Sequence, residues 1–356
     1  MRFRSLSNKN INGDEILQTV LSILGDTENF FDDYKYQPHT PTRLQIALNK
    51  YYIDGNKDKL RRELYGRFLY DTNISGKKYV TDYPPLVHLE LSSICNYRCT
   101  FCYQVDQEYF SKNRNFIDVN LFKTVIDQLE DNVPYITHSN RGEPTMHPHF
   151  AELVRYCKDK FLDYKINTNA SLLNEEKILA MLDACHTVVF SIDSIKNYSK
   201  LRVNGSLEHV VKNIKLFHDI RSTHPRKNEI LTRASGVYLN DETQSQDKHA
   251  KFFKDIVDET SFVNYMPWEN VYNLPKHNIT KPCNEPFYRM HILYDGSVDA
   301  CDMDYKLLLN KDGQKISNDY TVKDAWKSLS NIRYIHEEGK RLELSPCDQC
   351  PLPEHF

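Results

Sequence analysis

No stretch of the 356 residues is long and apolar enough to span a bilayer. The opening Met1-Arg-Phe-Arg-Ser-Leu-Ser-Asn-Lys-Asn also lacks an apolar run of signal-peptide length. No membrane partner is expected, and the chain is placed in the cytoplasm, where thiols stay reduced. An excess of one charge is missing too: 46 Lys and Arg against 49 Asp and Glu leave a net charge of -3. That gives no polyanion-binding surface and no nucleic-acid partner; the basic group Lys59, Arg61 and Arg62 reads as a solvated helix face. Internal repeats are absent. A composition of 40% hydrophobic and 27% charged residues is that of an ordinary globular protein with ample material for a core.

What the chain does have is nine cysteines, which in a reducing compartment point to metal ligation rather than disulfides. Three of them, Cys95, Cys99 and Cys102, form C-x3-C-x2-C in Leu-Ser-Ser-Ile-Cys-Asn-Tyr-Arg-Cys-Thr-Phe-Cys-Tyr. Thiolates this close can wrap one soft metal centre, and iron–sulfur clusters are held by such ligands. No fourth cysteine lies nearby, so one iron of a cluster would lack a protein ligand and could bind a small molecule. A partial zinc site is the alternative, although zinc sites usually show two CxxC-like pairs or added histidines.

Residues 1–84 read as a helical extension, with Ile16, Val20, Leu21 and Leu24, and then Leu44, Leu48 and Tyr52, at helical spacing. A double proline, Pro84-Pro85, closes it. From Leu86 strands alternate with helices. Strands are predicted at 86–91, 135–139, 164–169, 187–192, 232–239 and 261–265, with helices at 118–130, 150–160, 174–184, 207–221 and 248–257. This order argues for an α/β fold with a parallel sheet, either open or a barrel, and its chemistry at the carboxyl ends of the strands. The Cys95 triad follows the first strand. After about Asn270 the alternation stops; a short hairpin around Tyr294-Asp-Gly-Ser297 and a helix at 322–329 remain, in a segment whose four cysteines suggest a metal staple. The expected domains are therefore 1–84, 85–270 and 271–356.

The triad, with the aromatic Phe101 before its last cysteine, resembles the hallmark of the radical S-adenosylmethionine (SAM) superfamily. Further motifs follow in order over residues 86–356. Arg141-Gly142-Glu143-Pro144, after the second strand, is similar to the family's Gly-Gly-Glu motif, which holds the amino group of SAM; Arg141 replaces the first glycine. Ser191 and Asp193, after the fourth strand, resemble polar positions that contact SAM in relatives, and Arg202 sits in Lys-Leu-Arg-Val-Asn-Gly, which is similar to a stretch just after that strand in relatives; Asn169, at the end of the third strand, is a further expected cofactor contact. The resemblance implies a partial (β/α)6 barrel, a [4Fe-4S] cluster on Cys95, Cys99 and Cys102, and SAM on its open iron. The residues themselves agree: a carboxylate such as Glu143 suits an ammonium group, Gly142 permits close backbone approach, and Pro144 stiffens the turn.

The remaining set is Cys283, Cys301, Cys347 and Cys350, the last two in Cys-Asp-Gln-Cys-Pro. A four-thiolate zinc site is one reading of it. The set also resembles the C-terminal SPASM or twitch extension, which carries auxiliary iron–sulfur clusters. With no further cysteine after Cys350, the shorter twitch form with one fully ligated auxiliary [4Fe-4S] cluster is expected. Cys157 and Cys185 lie in helical patterns and read as small buried hydrophobes.

What the resemblance implies for activity is reductive cleavage of SAM to a 5′-deoxyadenosyl radical, with electrons from a donor such as flavodoxin or ferredoxin, and hydrogen abstraction from a bound substrate. A closed auxiliary cluster and no obvious cysteine hydrogen donor favour oxidation, as in twitch-bearing dehydrogenases of amino-sugar alcohols, with epimerisation as the other outcome. Strand alternation nominates His88 and Glu90, Asn167 and Asn169, and Arg233 and Ser235 as pairs sharing a face. Glu269 and Arg233 are the expected catalytic contacts. The expected substrate is a small polar molecule, such as a sugar or sugar nucleotide. The alternatives are a maturase acting on a ribosomally made peptide and, more remotely, a non-catalytic scaffold stapled by metals.

Overall fold

Alternating strands and helices need a sheet with one face to cover, and the computed structural model provides it. It describes residues 82–161, 163–239, 244–310 and 313–351. The expected helical extension lies outside these residues, apart from its last three positions. In chain order the strands are β1 (Leu86–Leu89), β2 (Arg98–Cys99), β3 (Tyr135–His138), β4 (Asp163–Thr168), β5 (Thr187–Ser191), β6 (Arg202–Val203), β7 (Leu231–Tyr238), β8 (Glu259–Asn264), β9 (Arg289–Ile292) and β10 (Val298–Asp299). The helices are α1 (Gln107–Lys112), α2 (Val119–Leu129), α3 (Phe150–Tyr156), α4 (Glu175–Ala184), α5 (Tyr198–Leu201), α6 (Leu207–Thr223), α7 (Gln246–Phe253), α8 (Glu285–Tyr288), α9 (Val322–Ser328) and α10 (Ser330–Glu337).

Eight strands form one open sheet in the order β10-β9-β1-β3-β4-β5-β7-β8, parallel throughout except for β10. Successive parallel strands that step in one direction, joined by crossovers of one hand, place their helices on one face. Ring contacts agree: Phe122 of α2 meets His138 of β3, Phe217 of α6 meets Phe190 of β5, and His249 of α7 meets Phe262 of β8. Val87, Leu89, Ile136, Tyr164, Ile166, Val188 and Phe190 are buried against that helix layer. Helix starts are set by side-chain caps. Asp118, Asn174, Ser206 and Ser245 each accept from a first-turn N–H, and Thr321 with Asp324 forms a capping box.

The register decides the parity question left open by the sequence. His88 pairs with Thr137, Thr137 with Lys165, Asn167 with Val189, and Val189 with Arg233. His88, Asn167 and Arg233 therefore share the face away from the helices, together with Ser191, Ser235, Ser261 and His291. One face is an apolar core and the other is lined with hydrogen-bonding groups.

Several expectations need correction. The expected C-terminal hairpin is present as β9 and β10, but β9 also runs parallel to β1 and extends the main sheet, which was not expected. The helix expected at 150–160 ends at Tyr156, and the one at 248–257 runs from Gln246 to Phe253. The β2–β6 ribbon, α1 and α10 were not foreseen. No helix among the described residues is long and apolar enough to cross a membrane.

His138 gives the fold a pH signature. Its ring is fully buried, Nδ1 lies 2.9 Å from the Leu89 carbonyl, and burial lowers its pKa to about 4. The folded chain keeps this ring neutral down to about pH 4, whereas the unfolded chain protonates it near 6.5. Stability is therefore lost as pH falls from 6.5 to 4, by about 3 kcal/mol from this residue alone. Denaturant titrations of wild type and His138→Leu over that range should converge by this amount; parallel curves would remove the assignment.

Candidate functional site

The loop leaving β1 is shaped by its serines. Ser92 Oγ donates to the Ile94 carbonyl and accepts from the Ile94 N–H, at 2.9 and 3.0 Å. Ser93 exchanges hydrogen bonds with the Asn115 backbone. Cys99 is fixed by the β2–β6 ribbon, opposite Arg202, and the Cys102 N–H donates to the Cys99 carbonyl. Burial pushes the Cys95 thiol up to about 12 and raises Cys99 and Cys102, and the thiols raise one another as neighbours do. Thiols in this state are inert until a soft metal displaces the proton.

Arg141-Gly142-Glu143-Pro144 is pressed against that loop. The Glu143 N–H donates to the Ile94 carbonyl at 2.9 Å. A Cβ on Gly142 would lie 2.0 Å from the Ser92 carbonyl oxygen and 2.6 Å from that of Ile94, so only glycine fits. Gln104 Nε2 donates to both the Ser93 and Arg141 carbonyls, at 2.9 and 2.6 Å. The buried Glu143 carboxylate accepts from Thr145 N and Oγ1, Thr168 Oγ1 and Asn169 N, three on Oε1 and one on Oε2. Oε2 keeps acceptor capacity for a further donor.

The other expected SAM contacts divide. Asn169 Nδ2 donates to Asn96 Oδ1 and its Oδ1 accepts from Ser171, which places it beside the triad loop. Ser191 sits at the end of β5 on the polar face. Asp193 and Arg202 engage each other: Nε donates to Oδ2 at 2.5 Å and Nη2 to Oδ1 at 3.1 Å, while Asp193 also accepts from Val237 N. Arg202 Nη1 lies 3.8 Å from Cys99 Sγ, and its guanidinium stands 5.7 Å from the Phe101 ring. Pro144 opens a 3-10 turn. The two expected catalytic residues are engaged with different partners. Arg233 pairs with Glu259 on the next strand at 2.7 Å, and Glu269 accepts the hydroxyl of Tyr265.

A profile described as Radical SAM superfamily matches residues 89–243, the stretch from β1 to the loop after β7. Residues 89–243 are a radical SAM domain by this match. It is 31% identical over 110 residues to a tungsten-containing aldehyde ferredoxin oxidoreductase cofactor-modifying protein of Pyrococcus furiosus, covering 30% of each chain. It is 30% identical over 148 residues to an S-adenosylmethionine-dependent nucleotide dehydratase of Selenomonas ruminantium, covering 39% of this chain and 52% of that one. The chain thus spans about half or less of the length of these curated relatives. In fold it is similar to Streptococcus suis SuiB bound to precursor peptide SuiA, with a TM-score of 0.56 at 16% identity over 91% of this chain and 89% of that one.

Radical SAM proteins use a [4Fe-4S] cluster and SAM, and relatives with the C-terminal extension carry auxiliary clusters. The residues fit both groups. Three neighbouring thiols, Cys99 buried and Cys95 and Cys102 partly exposed, suit the first cluster. For the second, Cys283, Cys301, Cys347 and Cys350 line one cavity together with His336 and Arg341. Arg341 is buried, and its Nε and Nη1 have no partner among the described residues, which suits the net negative charge of a thiolate-bound cluster. His336 Nδ1 accepts from the Cys283 N–H, so Nε2 carries the proton, and Nε2 lies 3.6 Å from Cys347 Sγ. Cys157 and Cys185 are buried on the helix side, as expected.

Sequence reasoning missed the buried Glu90–Arg141 pair, whose two nitrogens meet the carboxylate at 2.9 and 2.8 Å. Arg141 also donates to the Tyr109 hydroxyl and the Tyr305 carbonyl. The only signal was the arginine standing where the family has glycine. His336 and Arg341 carried no signal at all.

Two outcomes follow. Gly142→Ala should displace the triad loop and destabilise the fold by about 1–3 kcal/mol, seen as a lower Tm together with weaker SAM binding by calorimetry; unchanged binding would show the loop to be compliant. His336→Leu removes an N–H···S contact and should move the midpoint of one cluster to more negative potential in an EPR-monitored titration, leaving the other unmoved.

Proposed function

We propose that this protein is a radical SAM oxidoreductase that abstracts a hydrogen atom from a small polar substrate held against the open face of the sheet, and that the reaction is an oxidation, with epimerisation the second outcome. The observation that carries the reading is the triad loop: three cysteines, Cys99 buried and Cys95 and Cys102 partly so, on a loop locked to Gly142 and Glu143 at the carboxyl end of β1. When bound there, the cluster and SAM supply a carbon radical that abstracts hydrogen.

The chain's own part is to hold and to shield. Cys95, Cys99 and Cys102 would ligate the cluster. Glu143 Oε2 and the backbone around Gly142 would receive the SAM amino group, and Asn169 and Ser191 line the approach. The Asp193–Arg202 pair is better read as a positioning unit: each satisfies the other, and Arg202 sets positive charge beside Cys99. Arg233 and Glu269 remain the proposed substrate contacts. In this reading residues 85–270 carry the cofactor site and residues 271–356 the auxiliary cluster, and Cys283, Cys301, Cys347 and Cys350 leave that cluster no open iron. Its task is then to accept an electron from the substrate radical. A reducing compartment and a flavodoxin- or ferredoxin-type donor complete the scheme.

A peptide substrate is the second reading. It is favoured by β8, an edge strand whose Val263 is half exposed and which could add a peptide strand.

Anaerobic reconstitution tests the proposal. Wild type should hold about eight irons and, with reductant, release methionine and 5′-deoxyadenosine. Cys99→Ala should retain about four irons and lose SAM cleavage by at least ~10³-fold. Zinc in place of iron, or cleavage that survives Cys99→Ala, would overturn the reading. Metabolite profiles of cells carrying Cys99→Ala then separate the substrates: a small molecule that accumulates supports the first reading, and an unmodified peptide supports the second.

A further inference from the structure

His291 lies on β9, on the polar face of the sheet next to β1, and its ring packs 4.6 Å from that of His88. It is 1% exposed, yet neither ring nitrogen has a partner among the described residues. Buried imidazoles are rarely left this way, because water or protein normally satisfies both nitrogens. Besides the His88 ring, the groups around His291 are the carboxylates of Glu285 and Asp302 and the guanidinium groups of Arg289 and Arg141. Glu285 begins α8, two residues after Cys283, and Asp302 follows Cys301 directly. One donor atom from each of His291, Glu285 and Asp302 lies within 4.8 Å of the others. Donors around a cation with bonds of about 2.1 Å sit roughly 3–4.2 Å apart, so a small contraction would close the set.

The charges permit a cation. Glu285 shares its carboxylate with Arg289, whose Nη2 donates to Oε1 and whose Nε faces Oε2, and Oε1 also accepts from the Tyr288 hydroxyl. Two guanidinium groups act on the site, Arg289 and Arg141, and Arg141 is neutralised by its own pair with Glu90; the Glu285 and Asp302 carboxylates, with Cys283 and Cys301 beside them, leave the balance open to a cation. His88 Nδ1 lies 3.0 Å from the Ser139 carbonyl, and its ring packs against His291 without a hydrogen bond to it.

We propose that Glu285, His291 and Asp302 form a binding site for a divalent first-row cation, separate from both cysteine sets. Two carboxylates and one imidazole suit Mn²⁺-type and Fe²⁺-type ions rather than thiophilic ones. Three protein donors leave coordination positions open on the polar face, where water or an oxygen-bearing group can bind. The site does not depend on the SAM chemistry.

The test uses the protein with its iron–sulfur sites loaded, so that the thiols are occupied, and Mn²⁺ as the probe, because this ion favours oxygen and nitrogen donors over thiolates. Loss of the free-ion EPR signal should report one Mn²⁺ per wild-type chain. His291→Gln and Asp302→Asn should each weaken binding by ~10-fold or more, whereas Glu259→Gln, on the same face but outside the set, should bind as wild type does. Circular dichroism and the cluster absorbance confirm folding. Should His291→Gln fail to fold, Asp302→Asn decides, since Asp302 is only partly buried. Absence of stoichiometric Mn²⁺ in wild type, undiminished binding in the folded ligand variants, or an equal loss in Glu259→Gln overturns the site.

Discussion

The candidate site depends on one close approach. Gly142 passes within contact of the Ser92–Ile94 backbone, and nothing larger than hydrogen can stand between them. That contact sets the Glu143 N–H on the Ile94 carbonyl, one residue before Cys95. Gln104, just past Cys102, closes the other side by bridging Ser93 and Arg141. The three cysteines therefore sit on a loop pinned at both ends to the chain after β3. A metal centre held there by three protein ligands would need that rigidity.

Two buried ion pairs flank this contact, and each has a structural reason to be ionic. Removing charges from water costs several kcal/mol per ion, repaid only with bidentate geometry and further hydrogen bonds. Glu90–Arg141 meets that condition: the remaining guanidinium nitrogen goes to Tyr109 and Tyr305, and Glu90 accepts from Tyr294 N. Arg202–Asp193 meets it through Val237 N and the Phe101 face. An apolar pair could fill either volume, but it could not bind β1, α1 and the 294–305 segment at once, nor set a positive charge beside Cys99.

What could be read from the chain follows sequence distance. The alternation of strands and helices, the caps at Asp118 and Asn174, and the triad are local patterns of a few residues. The Gly142-Glu143 motif was legible because it follows a strand. The face shared by His88, Asn167 and Arg233 required register, which no single strand encodes. The roles given to Asp193 and Arg202 shifted because two groups nine residues apart found each other. Glu90 and Tyr294, 204 residues apart, share a hydrogen bond that no local pattern announces. The parallel seat of β9 beside β1 was hidden for the same reason, and behind it the environment of His291.

That seat has a consequence for the cysteines that follow it. Because β9 is part of the main sheet, the segment carrying Cys283 and Cys301 is anchored through backbone hydrogen bonds to the strand that launches the triad. Tyr103, next to Cys102, packs with Phe110 and Tyr305 in a cluster that also touches Cys301 and Cys350. Close-packed aromatic groups transmit displacement rather than absorb it. The separation of the two thiol sets is thus fixed by strand pairing on one side and ring packing on the other. A one-electron exchange between centres at those sites would keep a constant distance while substrate comes and goes.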